Sequence, residues 1–403
     1  MNSLLKLLFL LLGGMSLAQT PITLEEAHQK ALDNNMNLKT GQLRIDFQEK
    51  IKQTATGIDP LTITGEVGQL NSIYVDHAFS VNQSLRLPKF YQKQKEMLME
   101  EWKNAVLNLN LQKWQLKKEI ALVYNQLNYL DEKEKLLKKA DSLYSAYYQK
   151  AVLRLKAGES NILEKTTAEN YRSQAEIQIN NLQQDREIAI RQFNFLINDT
   201  NVYTNMKSDF YAPLAIEAPI PSEQSVFMQS LEQQRHTEKA KLEAEKTKLL
   251  PTLSFGLSSG TQYGIGADDR FYNHSRRFQS GMVGIGLPVF NRAQKAAIEG
   301  QKINQMIAEN NYQLGWLNLK NQYAKAYGNY LKLKNETEYY QKQGEANAKT
   351  IMFTANLLLK EGETNYLEYS ILVNQALDLM NRHIDAQKAL NDSLIELQSL
   401  SEN

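Results

Sequence analysis

Two runs of this sequence, Tyr91–Ala157 and Arg292–Glu361, contain no proline and are filled with Leu, Ala, Glu, Gln and Lys. These residues favour helix. At 1.5 Å per residue, each run would make a rod about 100 Å long. A compact single-core domain cannot hold such rods, so they must lie side by side in a coiled-coil-like assembly. Leu24–Thr56, Ile162–Ile197, Ser222–Leu249 and Tyr366–Ser399 read as further helices. Their apolar stripes are narrow: Leu107, Leu111, Trp114, Leu116, Ile120, Val123, Leu127 and Leu130 recur at mixed spacings of three and four.

Between the helices the period changes to two. Leu61–Val67 and Phe79–Leu87 alternate apolar with polar residues, as do Thr252–Ser258 and, with glycines on the small face, Gly281–Leu287. A half-buried hairpin in a soluble domain would read this way. The lengths are also close to the roughly 9 to 11 residues of a tilted membrane strand, with a polar face suited to a wet lumen. Ile63, Val67, Val81, Leu85, Phe255, Leu257, Val283 and Ile285 would then face lipid, and Thr64 and Ser254 the lumen. Tyr74, Phe79, Phe90, Tyr263, Phe271, Tyr272 and Phe290 are candidates for aromatic girdles.

The chain is a tandem repeat. Lys156-Ala157-Gly158-Glu159-Ser160-Asn161-Ile162-Leu163-Glu164 aligns with Lys360-Glu361-Gly362-Glu363-Thr364-Asn365-Tyr366-Leu367-Glu368, and Leu87-Pro88-Lys89-Phe90 with Leu287-Pro288-Val289-Phe290. Each half reads helix, strand, strand, long helix, tight turn, helix. The predicted boundaries are a first repeat over 19–200 (strands 60–70 and 78–88, tip 158–161), a linker over 201–221, and a second repeat over 222–403 (strands 251–260 and 279–289, tip 362–365). The loop between strands is longer in the second repeat, and such insertions belong at exposed sites. At each tip, glycine suits a left-handed helix end, and Asn161 to Glu164 and Asn365 to Glu368 have N-terminal capping spacing.

Composition closes off other classes. Lys+Arg number 46 and Asp+Glu 45, for a formal charge of +1, whereas a nucleic-acid binder carries a basic excess. The chain has no cysteine, and His28, His77, His236, His274 and His383 are scattered without metal-ligand spacing. No nucleophile–base pair or phosphate loop stands out, so neither an enzyme nor a cofactor is expected. Residues 1–18 have one basic residue, an apolar core and a small-x-small ending at Ser16-Leu17-Ala18, the pattern of a secretory signal peptide.

In order and spacing, these features resemble the TolC-like outer-membrane efflux proteins across essentially the whole mature chain. The resemblance rests on Ile22-Thr23-Leu24-Glu25-Glu26-Ala27 followed by Ala31, Asn34 and Asn35, on Gly286-Leu287-Pro288-Val289-Phe290-Asn291-Arg292, and on the two Gly-Glu-Ser/Thr tips. Departures are Met36, where the family often has proline, and the missing glycine before Leu87. The resemblance implies a mainly α-helical channel-tunnel with a transmembrane β part. Four strands per chain would complete a 12-stranded trimeric barrel in outer-membrane lipid, continued by an α-helical periplasmic barrel.

It further implies a homotrimer, a periplasmic adaptor, and an inner-membrane transporter of the resistance-nodulation-division type. Gly158, Glu159, Ser160 and Leu163, with Gly362, Glu363, Thr364 and Leu367, would be the adaptor-docking tips. Glu164 and Glu368 would be the carboxylates of the periplasmic entrance. A further family carboxylate falls on Ile371, and the family's gate-lock positions fall on Leu359 and Thr364, so that lock is unmatched. The run Asn291–Lys295 leans towards metal-cation efflux over drug or protein export. A soluble periplasmic coiled-coil scaffold with a small sheet is the rival from another class.

Overall fold

The computed structural model describes residues 19–207, 210–211 and 221–401. The expected signal peptide, residues 1–18, and residues 208–209 and 212–220 of the expected linker lie outside the described residues. In chain order the elements are β1 (Thr20–Ile22), α1 (Leu24–Asn34), α2 (Met36–Lys52), a 3-10 turn (Gln53–Thr56), β2 (Thr62–Gly68), β3 (Asp76–Arg86), α3 (Pro88–Lys156), α4 (Ile162–Ile197) and β4 (Tyr203–Asn205). Then follow α5 (Val226–Thr247), β5 (Thr252–Gly260), β6 (Gly264–Ile265), β7 (Phe271–Tyr272), β8 (Phe278–Gly286), α6 (Arg292–Tyr339), a π-helical turn (Tyr340–Gly344), α7 (Glu345–Glu361) and α8 (Tyr366–Ser401).

These elements form two compact units, each drawing on both halves of the sequence. One comprises residues up to Thr40, Asn110–Val226 and the chain from Leu317; the other comprises Gly41–Leu109 and Phe227–Trp316. The first is helical. Its core includes Ile120, Leu127, Leu130, Phe193, Ile197, Val373 and Leu397, all fully or nearly fully buried. Tyr124 packs its ring 6.0 Å from that of Phe193 and donates its hydroxyl to the carbonyls of Ile22 and Met206. It thereby clamps the parallel pair of β1 and β4, a pair that the sequence pattern did not announce because each strand is only three residues long.

The second unit holds a four-stranded antiparallel sheet in the order β2-β3-β5-β8. Ile63 pairs with Val81 and Val81 with Leu257; Leu85 pairs with Leu253 and Leu253 with Ile285. The helices beside it are joined by amide–carboxylate bonds. Gln294 and Gln301 on α6 donate to Glu245 and Glu238 on α5 at 2.8 and 2.6 Å. The equal seven-residue steps in opposite directions mark an antiparallel pair with heptad register.

Two helix readings need correction. Leu24–Thr56 is not one helix: the chain breaks at Asn35, a buried residue whose Oδ1 accepts from the Asn37 and Leu38 amides while its Nδ2 donates to the Leu196 carbonyl. A side chain that caps the next helix competes with the helix it ends. Arg292–Glu361 is likewise interrupted by the π turn, where Tyr340 is buried and Gly344 lies against its ring. A β-carbon at Gly344 would come within 2.9 Å of Tyr340.

Candidate functional site: the paired tips and the two-faced sheet

Both tips are built alike. Gly158 and Gly362 have φ of 73° and 77°, a left-handed conformation open to glycine without steric cost. At the first, the Gly158 and Glu159 amides donate to the Leu155 and Arg154 carbonyls; at the second, those of Gly362 and Glu363 donate to Leu359 and Leu358. This is the Schellman helix end. The chain then restarts as α4 and α8 under asparagine caps: Asn161 Oδ1 accepts from the Glu164 amide at 3.1 Å, and Asn365 Oδ1 from the Glu368 amide at 2.8 Å.

The two caps differ in their carboxylates. Glu368 is exposed and completes a reciprocal box, its Oε2 accepting from the Asn365 amide at 3.4 Å and the Thr364 hydroxyl at 2.9 Å. Glu164 is 8% exposed and turned away from its own cap, with Oε1 3.4 Å from Arg154 Nε. Arg154 also donates to the Glu159 carbonyl at 3.1 Å and lies over the Tyr366 ring at 5.0 Å. Tyr366 stacks in turn on Tyr147, 5.7 Å between centroids. Burial, with the charge of Glu164 beside it, pushes the Tyr147 hydroxyl up to about 12. One guanidinium therefore links the first tip to the second. Equivalent positions in a duplicated motif would not reveal this, because Arg154 aligns with an apolar residue, Leu358.

Of the other tip residues, Gly158, Glu159, Leu163, Gly362 and Glu363 are exposed, while Ser160, Thr364 and Leu367 are half-buried. Behind the tips a tyrosine-rich layer begins, with Tyr144 stacked on Tyr171 at 5.4 Å and Tyr369 donating to Asn356 at 2.9 Å.

The sheet in the other unit has two chemically distinct faces. By register, Ile63, Val67, Val81, Leu85, Phe255, Leu257, Val283 and Ile285 share one face. That face is laid open: Val283, Leu257 and Val67 are more than 70% exposed. Gln83 interrupts it and sends its amide to the Asp59 carbonyl at 2.7 Å. The opposite face carries Thr62, Thr64, Ser80, Asn82, Ser84, Thr252, Ser254, Ser258 and Ser280, the last two bonded across strands at 2.7 Å. Among the described residues, strands β2 and β8 each have one partner only, so both sheet edges offer unpaired backbone.

Among the described residues no helix is long and apolar enough to cross a membrane, and no three His, Asp or Glu side chains converge as a metal site. His77 and His274, far apart in sequence, lie with ring centroids 5.4 Å apart, a juxtaposition without a sequence signal.

The family model for outer membrane efflux proteins matches residues 223–401, the second repeat. No curated protein matches the sequence. Among solved structures, the Campylobacter jejuni CmeC outer membrane channel is 16% identical, with a TM-score of 0.78 over 94% of this chain and 85% of that one. CusC, described for its transmembrane channel formation, is 16% identical, with a TM-score of 0.77 over 96% and 94%. The outer membrane protein VceC of Vibrio cholerae is 12% identical, with a TM-score of 0.77 over 94% and 96%. The sequence of the second repeat is therefore similar to the outer membrane efflux proteins, and the described chain has the fold of the outer membrane channels CmeC and CusC.

Proposed function

We propose that three copies of this chain form the outer-membrane conduit of a tripartite efflux system, with the helical part in the periplasm of a Gram-negative cell. The observation that carries this reading is the sheet: an exposed apolar face, a polar face, and two unpaired edges. In hydrocarbon an open edge leaves backbone groups unsatisfied, so the sheet must close with other copies. Two copies supply eight strands and an interior filled by side chains; three supply twelve and an aqueous bore. Apolar residues exposed on the helices, among them Phe47, Ile188, Phe195 and Phe353, await the same neighbours.

In this reading the paired tips meet a periplasmic adaptor through Gly158, Glu159, Ser160, Leu163, Gly362, Glu363, Thr364 and Leu367. An inner-membrane transporter of the resistance-nodulation-division type supplies the energy. Glu368, exposed in its cap, is the better placed of the two entrance carboxylates, because Glu164 is held inward by Arg154. Metal cations are the proposed cargo, on the character of Asn291–Lys295 alone. The deciding experiment is fractionation with native mass measurement. Recovery in the outer membrane as a heat-modifiable trimer is expected; a detergent-free soluble monomer would refute the conduit.

A further inference from the structure

The apolar face of the sheet continues past the strands' last pairs, towards the two strand–strand loops. Phe79 and Gln279 flank Ser259 on that face. Two residues beyond Phe79 is His77, whose backbone pairs with Thr261. His274 lies beside His77, and Tyr263 stacks on His274 at 4.5 Å. Arg277 reaches back onto the same face, donating from Nε and Nη2 to the side chain and carbonyl of Ser259 at 2.8 and 2.7 Å. Two of its five N–H groups are thereby used, and three are left for a ligand.

His77, His274 and Arg277 are all exposed, and the nearby Asp268 is committed to Tyr272 at 2.6 Å and Arg270 at 3.9 Å. The base beneath them is firm. Asp76, with no exposed surface, accepts from the Asn71 and Tyr263 amides and from the Ser72 and Thr261 hydroxyls at 2.8 to 3.2 Å. It ties both loops to one strand end. Towards the loop end of this face Phe79 and, paired with Val67, His77 follow the aliphatic rows, and Arg277 adds a cation there, a setting that suits the interface and the headgroup phosphate. An arginine whose guanidinium is set against Ser259 of β5 suits phosphate oxygens, which it can engage with two N–H groups at once.

We propose that Arg277, His77 and His274 form a binding site for the headgroup phosphate of the phosphorylated glycolipid in the outer leaflet. This inference rests on the outer-membrane reading above. To test it, the purified trimer is offered lipopolysaccharide, the same lipid chemically dephosphorylated, and inorganic phosphate; bound lipid is read by native mass spectrometry and trimer survival by heat dissociation. Lipopolysaccharide should be retained and should raise the dissociation temperature. The dephosphorylated lipid should do neither, and inorganic phosphate at the same phosphate concentration should not displace the lipid.

The variant Arg277→Gln with His77→Gln and His274→Gln should lose at least tenfold in retention, and Arg277→Lys alone should lose a smaller part of it, because an ammonium keeps the charge but not the paired N–H geometry. Equal retention of the dephosphorylated lipid, displacement by free phosphate, or an unaffected triple variant would overturn the proposal. If the triple variant fails to assemble, the dephosphorylated-lipid arm on the natural chain still decides. Failure to recover a trimer from the outer membrane would defeat the conduit reading, whereas a membrane trimer indifferent to lipid phosphate would defeat this inference alone.

Discussion

Arg154 neutralises a buried carboxylate and covers an aromatic ring of the other repeat at once, so its loss should be felt at both tips. Arg154→Met would leave Glu164 without its counter-charge. Because Arg154 is partly exposed, the cost is set at about 1 to 3 kcal/mol, the penalty of an unsatisfied buried group. Hydrogen exchange should accelerate at 158–168 and at 366–370 together, and adding Glu164→Gln should recover part of the protection. Acceleration at the first tip alone would show that the Tyr366 contact contributes nothing. His383 offers a pH-dependent counterpart. It is buried with its ring 5.1 Å from that of Tyr211, and burial, only partly opposed by Glu345, lowers its pKa below the ordinary 6.5. The unfolded chain therefore binds the proton more readily. Its contribution to stability is complete above pH about 6.5 and declines as pH falls below it. His383→Gln should flatten the fall in thermal midpoint between pH 7 and pH 5.

At the scale of an element, the sheet makes the sharpest distinction. Val283 and Ser254 sit on opposite faces of neighbouring strands. Val283→Arg should destabilise the assembled trimer by about 2 to 4 kcal/mol if its face meets the bilayer midplane, and Ser254→Arg should cost far less. Urea-dependent folding into lipid vesicles measures both, and equal tolerance would remove the membrane assignment. The tip turns make a second test. Neither Gly158 nor Gly362 has an atom within 4 Å of where a β-carbon would lie, so the penalty of Gly158→Val and Gly362→Val is purely conformational, about 1 to 2 kcal/mol each. The trimer should therefore assemble while adaptor cross-linking and efflux fall. Normal efflux from the double variant would make the tips structural ends only.

At the scale of the whole molecule, charge separates the two carboxylates proposed for the entrance. In a trimer, Glu368→Gln would remove three exposed charges while keeping a capping partner, since glutamine can still accept from the Asn365 amide. Cation selectivity in single-channel recordings should fall with little change in trimer stability. Glu164→Gln should leave selectivity nearly unchanged and loosen the first tip, because its charge is spent on Arg154. Equal effects of the two would return both residues to a common entrance ring.

The helices, the four strands with their apolar and polar faces, the duplication and the left-handed glycines were legible in the sequence, because each depends on a short-range period or on the backbone freedom of one residue. The break at Asn35, the π turn at Tyr340–Gly344, the β1–β4 pair and the meetings of Arg154 with Tyr366 and His77 with His274 were decided by tertiary structure. Their energies come from partners far away in the chain: a carbonyl at Leu196 for Asn35, a ring in the other repeat for Arg154. The duplicated motif fixes equivalent turns at both tips, but not equivalent surroundings. Glu164 meets a guanidinium and goes inward, whereas Glu368 bonds its own cap and stays at the surface.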